Sequence, residues 1–209
     1  IAYIDLDAHH CDGVQAAFSG DSDLLMISTH EAKRWPFTGA LSENIIDQQM
    51  NIPLLKNCNN EEFNLFFEGC VLPALDRFAP EAIIIQGGAD AVCDDPLSRL
   101  ALSNYTLWNA VKRLKERCDK VILTGGGGYN PWTVARLWAG FWLVLNDRSP
   151  FIELPSGAQR VLKSLSWQRK LRPSSDLITQ LYDAPPEKAQ LIRPETAALA
   201  EHIRDLHAL

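Results

Sequence analysis

The sequence lacks an excess of basic residues and any long hydrophobic run. Its 20 Lys and Arg residues are outnumbered by 26 Asp and Glu, which gives a net charge of −6. Nucleic acids and anionic membrane surfaces are bound by basic faces, so we expect neither as a partner. No apolar run approaches the roughly 20 residues that cross a bilayer. A small or protein-borne substrate fits this composition better.

Paired-cysteine motifs are also missing. The chain has five cysteines, an odd number, and none of them belongs to a CxxC pair. Secreted proteins that depend on disulfides usually carry an even set at regular spacing, whereas reduced thiols are typical of a reducing compartment. We therefore expect free thiols and a cytoplasmic protein.

Short apolar runs are present and alternate with segments of helical periodicity. The chain has 209 residues, of which 46% are hydrophobic, enough for one globular core. Alternating βα units predict an α/β fold with a parallel sheet flanked by helices. The four predicted strands are Ile1 to Leu6, Leu24 to Ser28, Ala82 to Gln86 and Val121 to Thr124.

The predicted helices carry recognisable start signals. Asn59 and Glu62 form a capping-box pattern before a helix that Pro73 should kink or end. A second helix is predicted over Asn104 to Arg117. Asn130 and Pro131 predict the start of a third, which runs to Asn146. Beyond about residue 147 a tail follows, with a final helix over Glu195 to Ala208.

Polar residues follow three of the predicted strands directly. Asp7 and His9 follow the first strand, Asp90 ends a GGAD segment after the third, and Tyr129 ends a GGGGY segment after the fourth. The carboxyl ends of parallel strands meet at one edge of an open sheet, which is where ligands bind. We therefore expect these residues to converge.

Asp7, His9 and Asp90 are candidate ligands of a catalytic metal ion. Side chains alternate along an extended segment, so Asp7 and His9 lie on the same side, and Asp90 adds a third donor. A set without thiolates suits a catalytic ion, with Zn²⁺ the first choice and Fe²⁺, Co²⁺ or Mn²⁺ as alternatives. Each residue alone would more commonly be a strand-end cap; the three together favour a metal site.

Tyr129 is a candidate hydrogen-bond donor to a developing oxyanion. The preceding glycines allow the backbone to pass close to a ligand and to adopt positive φ. A phosphate-binding loop or a simple tight turn would also account for the glycines. The run has no following Lys-Ser/Thr, which disfavours a P-loop.

Three segments together resemble the zinc-dependent histone deacetylase superfamily. They read YIDLDAHHCDGVQAAF, QGGADAVCDDPLSRLALS and TGGGGYNPWTVARLW, and RWPFTG and NIPL resemble in particular the bacterial acetoin-utilisation-type deacetylases. The resemblance implies an arginase/deacetylase fold and hydrolysis of an acetyl amide, typically Nε-acetyl-lysine on a protein or peptide. It makes Asp7, His9 and Asp90 the zinc ligands, with Tyr129 polarising the amide carbonyl together with the metal.

The resemblance also assigns supporting roles. Asp5 and Asp12 would orient a pair of catalytic histidines, and Asp5 and Ser28 would bind a structural K⁺ or Na⁺ ion. Trp35 would form a wall of the acyl-lysine channel, with Gly127 along its floor. Cys11 and Phe37 stand where the family commonly has glycine.

The catalytic histidine pair of the family lies upstream of Ile1, and Ile1 itself falls inside a predicted strand. We therefore expect residues 1–209 to be the carboxyl-terminal portion of a single catalytic domain, inactive without the upstream segment. Structural roles are expected for the remaining histidines: His10, His30, His202 and His207.

Two alternatives to a protein-lysine deacetylase remain open from the sequence. One is a deacetylase of acetylated polyamines or other small amides, which uses the same metal chemistry. The other is a non-catalytic module that binds acyl-lysine without cleaving it. The sequence does not predict an oligomeric state.

Overall fold

Five parallel strands form one sheet in the order β3-β2-β1-β4-β5. The computed structural model describes residues 1–167, 175–186 and 189–209. All neighbouring strands pair in parallel, so the predicted α/β class is confirmed. The strands are β1 Ala2–Asp5, β2 Leu25–Glu31, β3 Gln49–Leu54, β4 Ile83–Gly87 and β5 Val121–Gly125.

Strand β3 was not among the predicted strands. Its sequence, QMNIPL, contains Pro53, which lacks the N–H needed inside a sheet. In the described chain β3 pairs only with β2, and an edge position tolerates proline. The predicted strand ended at Ser28, which left His30 after it. In the structure β2 extends to Glu31, so His30 lies within the strand.

Helices cover both faces of the sheet. Asn59 accepts a hydrogen bond from Glu62 N–H, and Asn130 accepts one from Trp132 N–H, so both predicted caps are confirmed. The helices are α1 Asp12–Phe18, α2 Asn60–Phe66, α3 Leu72–Phe78, α4 Asn104–Lys115, α5 Pro131–Leu145, α6 Ser156–Ser164, α7 Asp176–Thr179 and α8 Pro194–His207.

The helical path does not end at Pro73. A π-helical turn, Phe67–Val71, joins α2 to α3, and the path continues to Phe78. This turn places Pro73 in the first turn of α3, where a missing N–H costs little because that group has no partner within the α-helix.

The core lies between the sheet and its helices. At the β5 edge of the sheet, however, the covering is incomplete. Most apolar residues of β1, β2, β3 and β4 are buried, although Tyr3 of β1 and Ile84 of β4 are only partly so. By contrast Ile122 of β5 is 61% exposed, and Trp138 and Trp142 of α5 are also exposed. We call these three residues the β5–α5 face. Among the described helices, none is both long enough and apolar enough to span a membrane.

A buried carboxylate, Glu62, joins α2 to α8. Its side chain accepts hydrogen bonds from Arg193 Nε (2.6 Å), Arg193 NH2 (2.6 Å) and Thr196 Oγ1 (2.8 Å). Burial opposes ionisation, but the hydrogen bonds from Arg193 outweigh it and lower the pKa of Glu62 from 4.5 to about 2. The ion pair therefore stabilises the fold while Glu62 stays ionised.

Replacing Arg193 with methionine should lower the free energy of unfolding by about 2 to 3 kcal/mol, because the buried Glu62 carboxylate loses its partner. Since the folded-state pKa of Glu62 is depressed, its contribution is present above pH 4.5 and is lost as the pH falls towards about 2. Urea unfolding at pH 7 and pH 3 measures both effects. Arg113→Met, which breaks an exposed pair with Glu68, is the control and should cost less than about 1 kcal/mol. Equal losses in the two variants would contradict the prediction.

Candidate metal centre

The predicted ligands converge at the carboxyl edge of the sheet. Asp7 and His9 follow β1, and Asp90 follows the neighbouring β4. One donor atom from each of the three residues lies within 4.8 Å of the other two. Strand alternation and strand pairing therefore bring together the side chains that the sequence had grouped.

His9 lies between the two carboxylates. Its Nδ1 atom is 3.0 Å from Asp7 Oδ1 and 2.9 Å from Asp90 Oδ2. Asp90 is completely buried, Asp7 is nearly so, and His9 remains partly accessible. The three donor atoms are thus grouped closely, and solvent reaches the group on the side of His9.

The outward oxygens of both carboxylates are held by other groups. Gln86 Nε2 and Gly127 N–H donate to Asp7 Oδ2 at 2.9 and 2.7 Å. Ala8 N–H donates to Asp90 Oδ1 at 2.8 Å. These bonds fix the carboxylate orientations before any ion binds, as outer partners do in metal sites. Gln86 was not among the predicted site residues, although a polar residue ending the AIIIQ run was its signal.

The glycines allow backbone to approach the carboxylates. A Cβ atom on Gly127 would lie 2.1 Å from Asp90 Oδ2, and one on Gly88 would lie 2.1 Å from Asp7 Oδ2. Gly128 has φ +141°, a conformation that favours glycine. The N–H of Gly127 donates to Asp7 and is therefore not free to bind a phosphate. This contact argues against a phosphate-binding loop at the four glycines.

The electrostatics of the cluster favour a positive charge between the donors. Hydrogen bonds to Asp7 and Asp90 raise the pKa of His9 to about 10. Burial raises the pKa of Asp90 to about 6, while for Asp7 hydrogen bonds from His9 and Gln86 outweigh burial and lower its pKa to about 2. The donor set, two carboxylates and one imidazole, fits a divalent catalytic ion.

Asp5 and Asp12 lie in different surroundings. Asp5 is buried, and its oxygens accept from Tyr3 OH (2.7 Å) and Asp7 N–H (3.0 Å); burial raises its pKa to about 7. Asp12 is exposed, and its Oδ1 accepts from the N–H of Gly13. Within the described residues, neither carboxylate has a hydrogen bond or ion pair with a histidine.

Ser28, the other residue predicted to bind a monovalent cation, lies beside Asp5 in the sheet. The two residues are in register across β1 and β2. Ser28 Oγ is 3.1 Å from His30 Nδ1, and Thr29 Oγ1 donates to the backbone carbonyl of Asp5 at 3.2 Å. Asp5 and Ser28, the two residues predicted to bind a monovalent cation, are therefore neighbours across β1 and β2.

Tyr129 stands at the rim of the cluster with 46% of its surface exposed. Its backbone N–H donates to Asp95 Oδ2 at 2.7 Å, and Asp95 was not among the predicted site residues. Desolvation raises the pKa of the Tyr129 phenol, and the negative charges of Asp90 and Asp7 add to this effect. The phenol therefore keeps its proton at neutral pH, as a hydrogen-bond donor must.

Trp35 lies beside the cluster, with its ring centroid 6.2 Å from that of His9. His10 turns away from the cluster, as strand alternation predicted. Its Nδ1 is 2.8 Å from Thr38 Oγ1, and its ring centroid is 4.8 Å from that of His30. His202 and His207 belong to α8, far along the chain from the cluster.

Comparison with known proteins gives one family. The histone deacetylase domain model matches residues 1–145. The acetoin utilization protein AcuC of Bacillus subtilis is 35% identical over 168 residues, which are 74% of this chain and 43% of that protein. Putative histone deacetylase 2 of Caenorhabditis elegans is 35% identical over 144 residues, 66% of this chain and 28% of that protein.

Solved structures agree with the sequence relatives. A crystal structure of an HDAC homolog from Aquifex aeolicus matches with a TM-score of 0.87 and 32% identity, over 97% of this chain and 56% of that chain. An HDAC homolog complexed with SAHA matches with the same TM-score and 33% identity, over the same shares of the two chains. The chain thus has the arginase/deacetylase fold and spans about half the length of these homologs.

Proposed function

Because the chain belongs to the histone deacetylase family, we propose that it forms the carboxyl-terminal, metal-binding portion of a catalytic domain that hydrolyses Nε-acetyl-lysine in proteins. The observation that carries this proposal is the cluster of Asp7, His9 and Asp90, whose donor atoms lie within 4.8 Å of one another. We propose Zn²⁺ as the ion, with Fe²⁺ or Co²⁺ as alternatives, and K⁺ or Na⁺ at Asp5 and Ser28. A divalent ion held by the cluster supplies Lewis acidity towards the amide carbonyl.

The residues of this chain would then bind and orient the substrate. Trp35, beside His9, would line the approach for the acyl-lysine side chain. The Tyr129 phenol, protonated at neutral pH, would donate a hydrogen bond to the carbonyl oxygen as negative charge develops on it. Gln86 and Gly127 would hold the Asp7 carboxylate still during that change. Attack of a water molecule on the carbonyl carbon would give a tetrahedral intermediate, and cleavage of its C–N bond, with a proton transferred to the nitrogen, would give acetate and the free amine.

Proton transfer would need groups that the described residues do not place near Asp5 and Asp12. We propose that an upstream segment of the complete protein brings a histidine pair to these carboxylates. Two observations support this. Asp5 and Asp12 contact no histidine within the described residues. The β5–α5 face also leaves Ile122 and Trp142 exposed, an apolar surface that an additional segment would cover.

Acetate release tests the proposal. The complete protein, loaded in turn with Zn²⁺, Fe²⁺ or Co²⁺, is expected to hydrolyse an acetyl-lysine peptide, and chelation should abolish the activity. Residues 1–209 alone should be inactive, and adding the upstream segment should restore activity. Faster hydrolysis of acetylpolyamines than of the peptide would instead favour a small-amide deacetylase. Tight peptide binding without acetate release, for every metal, would overturn the proposal in favour of a binding module.

A further inference from the structure

The loop between β2 and β3 carries two exposed aromatic residues, Trp35 and Phe37, and the Trp35 ring lies beside the metal ligand candidate His9. We call residues 32–40 the rim loop. Phe37 is 75% exposed and Trp35 is 64% exposed, the largest exposed fractions of any aromatic side chain in the described ranges. Exposed aromatic surface adds little to the stability of the fold, and exposed apolar patches commonly mark interaction sites.

Phe37 also has an unfavourable backbone conformation. Its φ angle is +68°, in the left-handed region, where a side chain with a Cβ atom is strained. Glycine would adopt this angle without strain. Strained residues persist where the surrounding structure holds them, and they cluster at ligand-binding positions. An exposed, strained aromatic residue therefore points to a contact made with a ligand.

The rim loop is fixed on the amino-terminal side of Phe37. The backbone N–H of Phe37 donates to the backbone carbonyl of Arg34 at 2.7 Å. The Arg34 guanidinium in turn donates twice to Glu31, at 2.9 and 2.8 Å. Glu31 is buried and also accepts from Arg99 N–H at 2.8 Å. The loop is thus anchored to the end of β2.

His10 and His30 fix the other side of the loop. Thr38 Oγ1 is 2.8 Å from His10 Nδ1, and the Gly39 carbonyl is 3.0 Å from His30 Nε2. A Cβ atom on Gly39 would lie 2.6 Å from both imidazole rings, so the loop packs directly on them. His10 follows His9, and the rim loop is therefore held in place relative to the metal ligands.

Phe37 lies two residues after Trp35, whose ring lies beside His9, and it is the more exposed of the two. We propose that Phe37 determines specificity by contacting the residue next to the acetyl-lysine, and that the preferred substrates are acetylated segments with an apolar side chain at that neighbouring position. The inference rests on the proposed deacetylase function. A rigid, exposed aromatic ring gains the most from covering another apolar group, because no loop ordering opposes the contact.

The test uses the complete protein and a pair of acetyl-lysine peptides that differ only in the neighbouring residue, phenylalanine or serine. For the unaltered protein we expect kcat/KM to favour the phenylalanine peptide by about tenfold, through KM. Phe37→Gly and Phe37→Asn, which both tolerate positive φ, should reduce that ratio to about one, whereas Phe37→Tyr should keep it. Phe151→Gly, at an exposed aromatic residue outside the rim loop, is the matched control.

The outcomes separate the two proposals. Hydrolysis of both peptides with the same ratio in all variants would overturn the role of Phe37 and leave the deacetylase function standing. No hydrolysis of any acetyl-lysine substrate by the unaltered protein would overturn the deacetylase function, and this inference with it. A change of oligomeric state in Phe37→Gly with an unchanged peptide ratio would show that Phe37 serves an interface between protein copies, which also overturns the inference.

Discussion

Tyr129→Phe in the complete protein is expected to lower kcat for acetyl-lysine hydrolysis by about 10²- to 10³-fold. The variant loses only the phenolic O–H, which lies at the rim of the cluster and keeps its proton because desolvation and the charges of Asp90 and Asp7 raise its pKa. A donor that meets charge developing in the transition state affects kcat more than KM. The backbone N–H of Tyr129, which binds Asp95, is unchanged by the substitution.

Steady-state kinetics and metal analysis of the same preparation measure this effect. Metal content should match that of the unaltered protein, because the phenol is not one of the three clustered donors. Tyr182→Phe, which removes a phenolic O–H in the tail of the chain, is the control and should retain full activity. A loss of less than about threefold for Tyr129→Phe would rule out its assigned role as oxyanion donor.

Gly127→Ala is expected to weaken metal binding by at least about 100-fold and to abolish measurable hydrolysis. The added methyl group would lie 2.1 Å from Asp90 Oδ2 and 2.9 Å from Asp7 Oδ2, closer than atoms can approach. Either the turn moves, which breaks the Gly127 N–H bond to Asp7, or the Asp90 carboxylate turns away from His9. Both movements separate the donor atoms.

Titration with Zn²⁺ followed by calorimetry measures the affinity, and circular dichroism shows whether the fold is kept. Gly13→Ala is the matched control, since a Cβ atom on Gly13 meets nothing within 4 Å. That variant should bind metal normally. Unchanged affinity in a folded Gly127→Ala protein would show that the carboxylates are not the metal ligands in the positions described.

The positions of the three candidate ligands could be predicted because the signals were local. Apolar runs marked the strands, and Asp7, His9 and Asp90 followed them directly, so parallel pairing alone brought them together. Strand β3 could not be predicted in this way, since Pro53 masks its pattern. Its edge position, which makes proline acceptable, is a property of the folded sheet.

The contacts that orient the ligands could not be predicted from local patterns. Gln86 and Gly127 both bind Asp7, although they are 79 and 120 residues away from it along the chain. The protonation state of His9 likewise depends on two carboxylates, one of them 81 residues away. These contacts depend on which strands are neighbours in the sheet. The strand order is set by the packing of the whole fold and cannot be read from a local segment.

The strand order has a consequence for how the protein matures. Strand β1 precedes β2 and β4 along the chain but lies between them in the sheet. Asp90 therefore joins His9 only after β4 has emerged and paired, 81 residues later. An ion that requires all three donors cannot be captured by a nascent chain that stops short of β4. Metal loading would thus occur after translation of this region, and the metal content of a preparation would report the fraction of molecules in which β1 and β4 are paired.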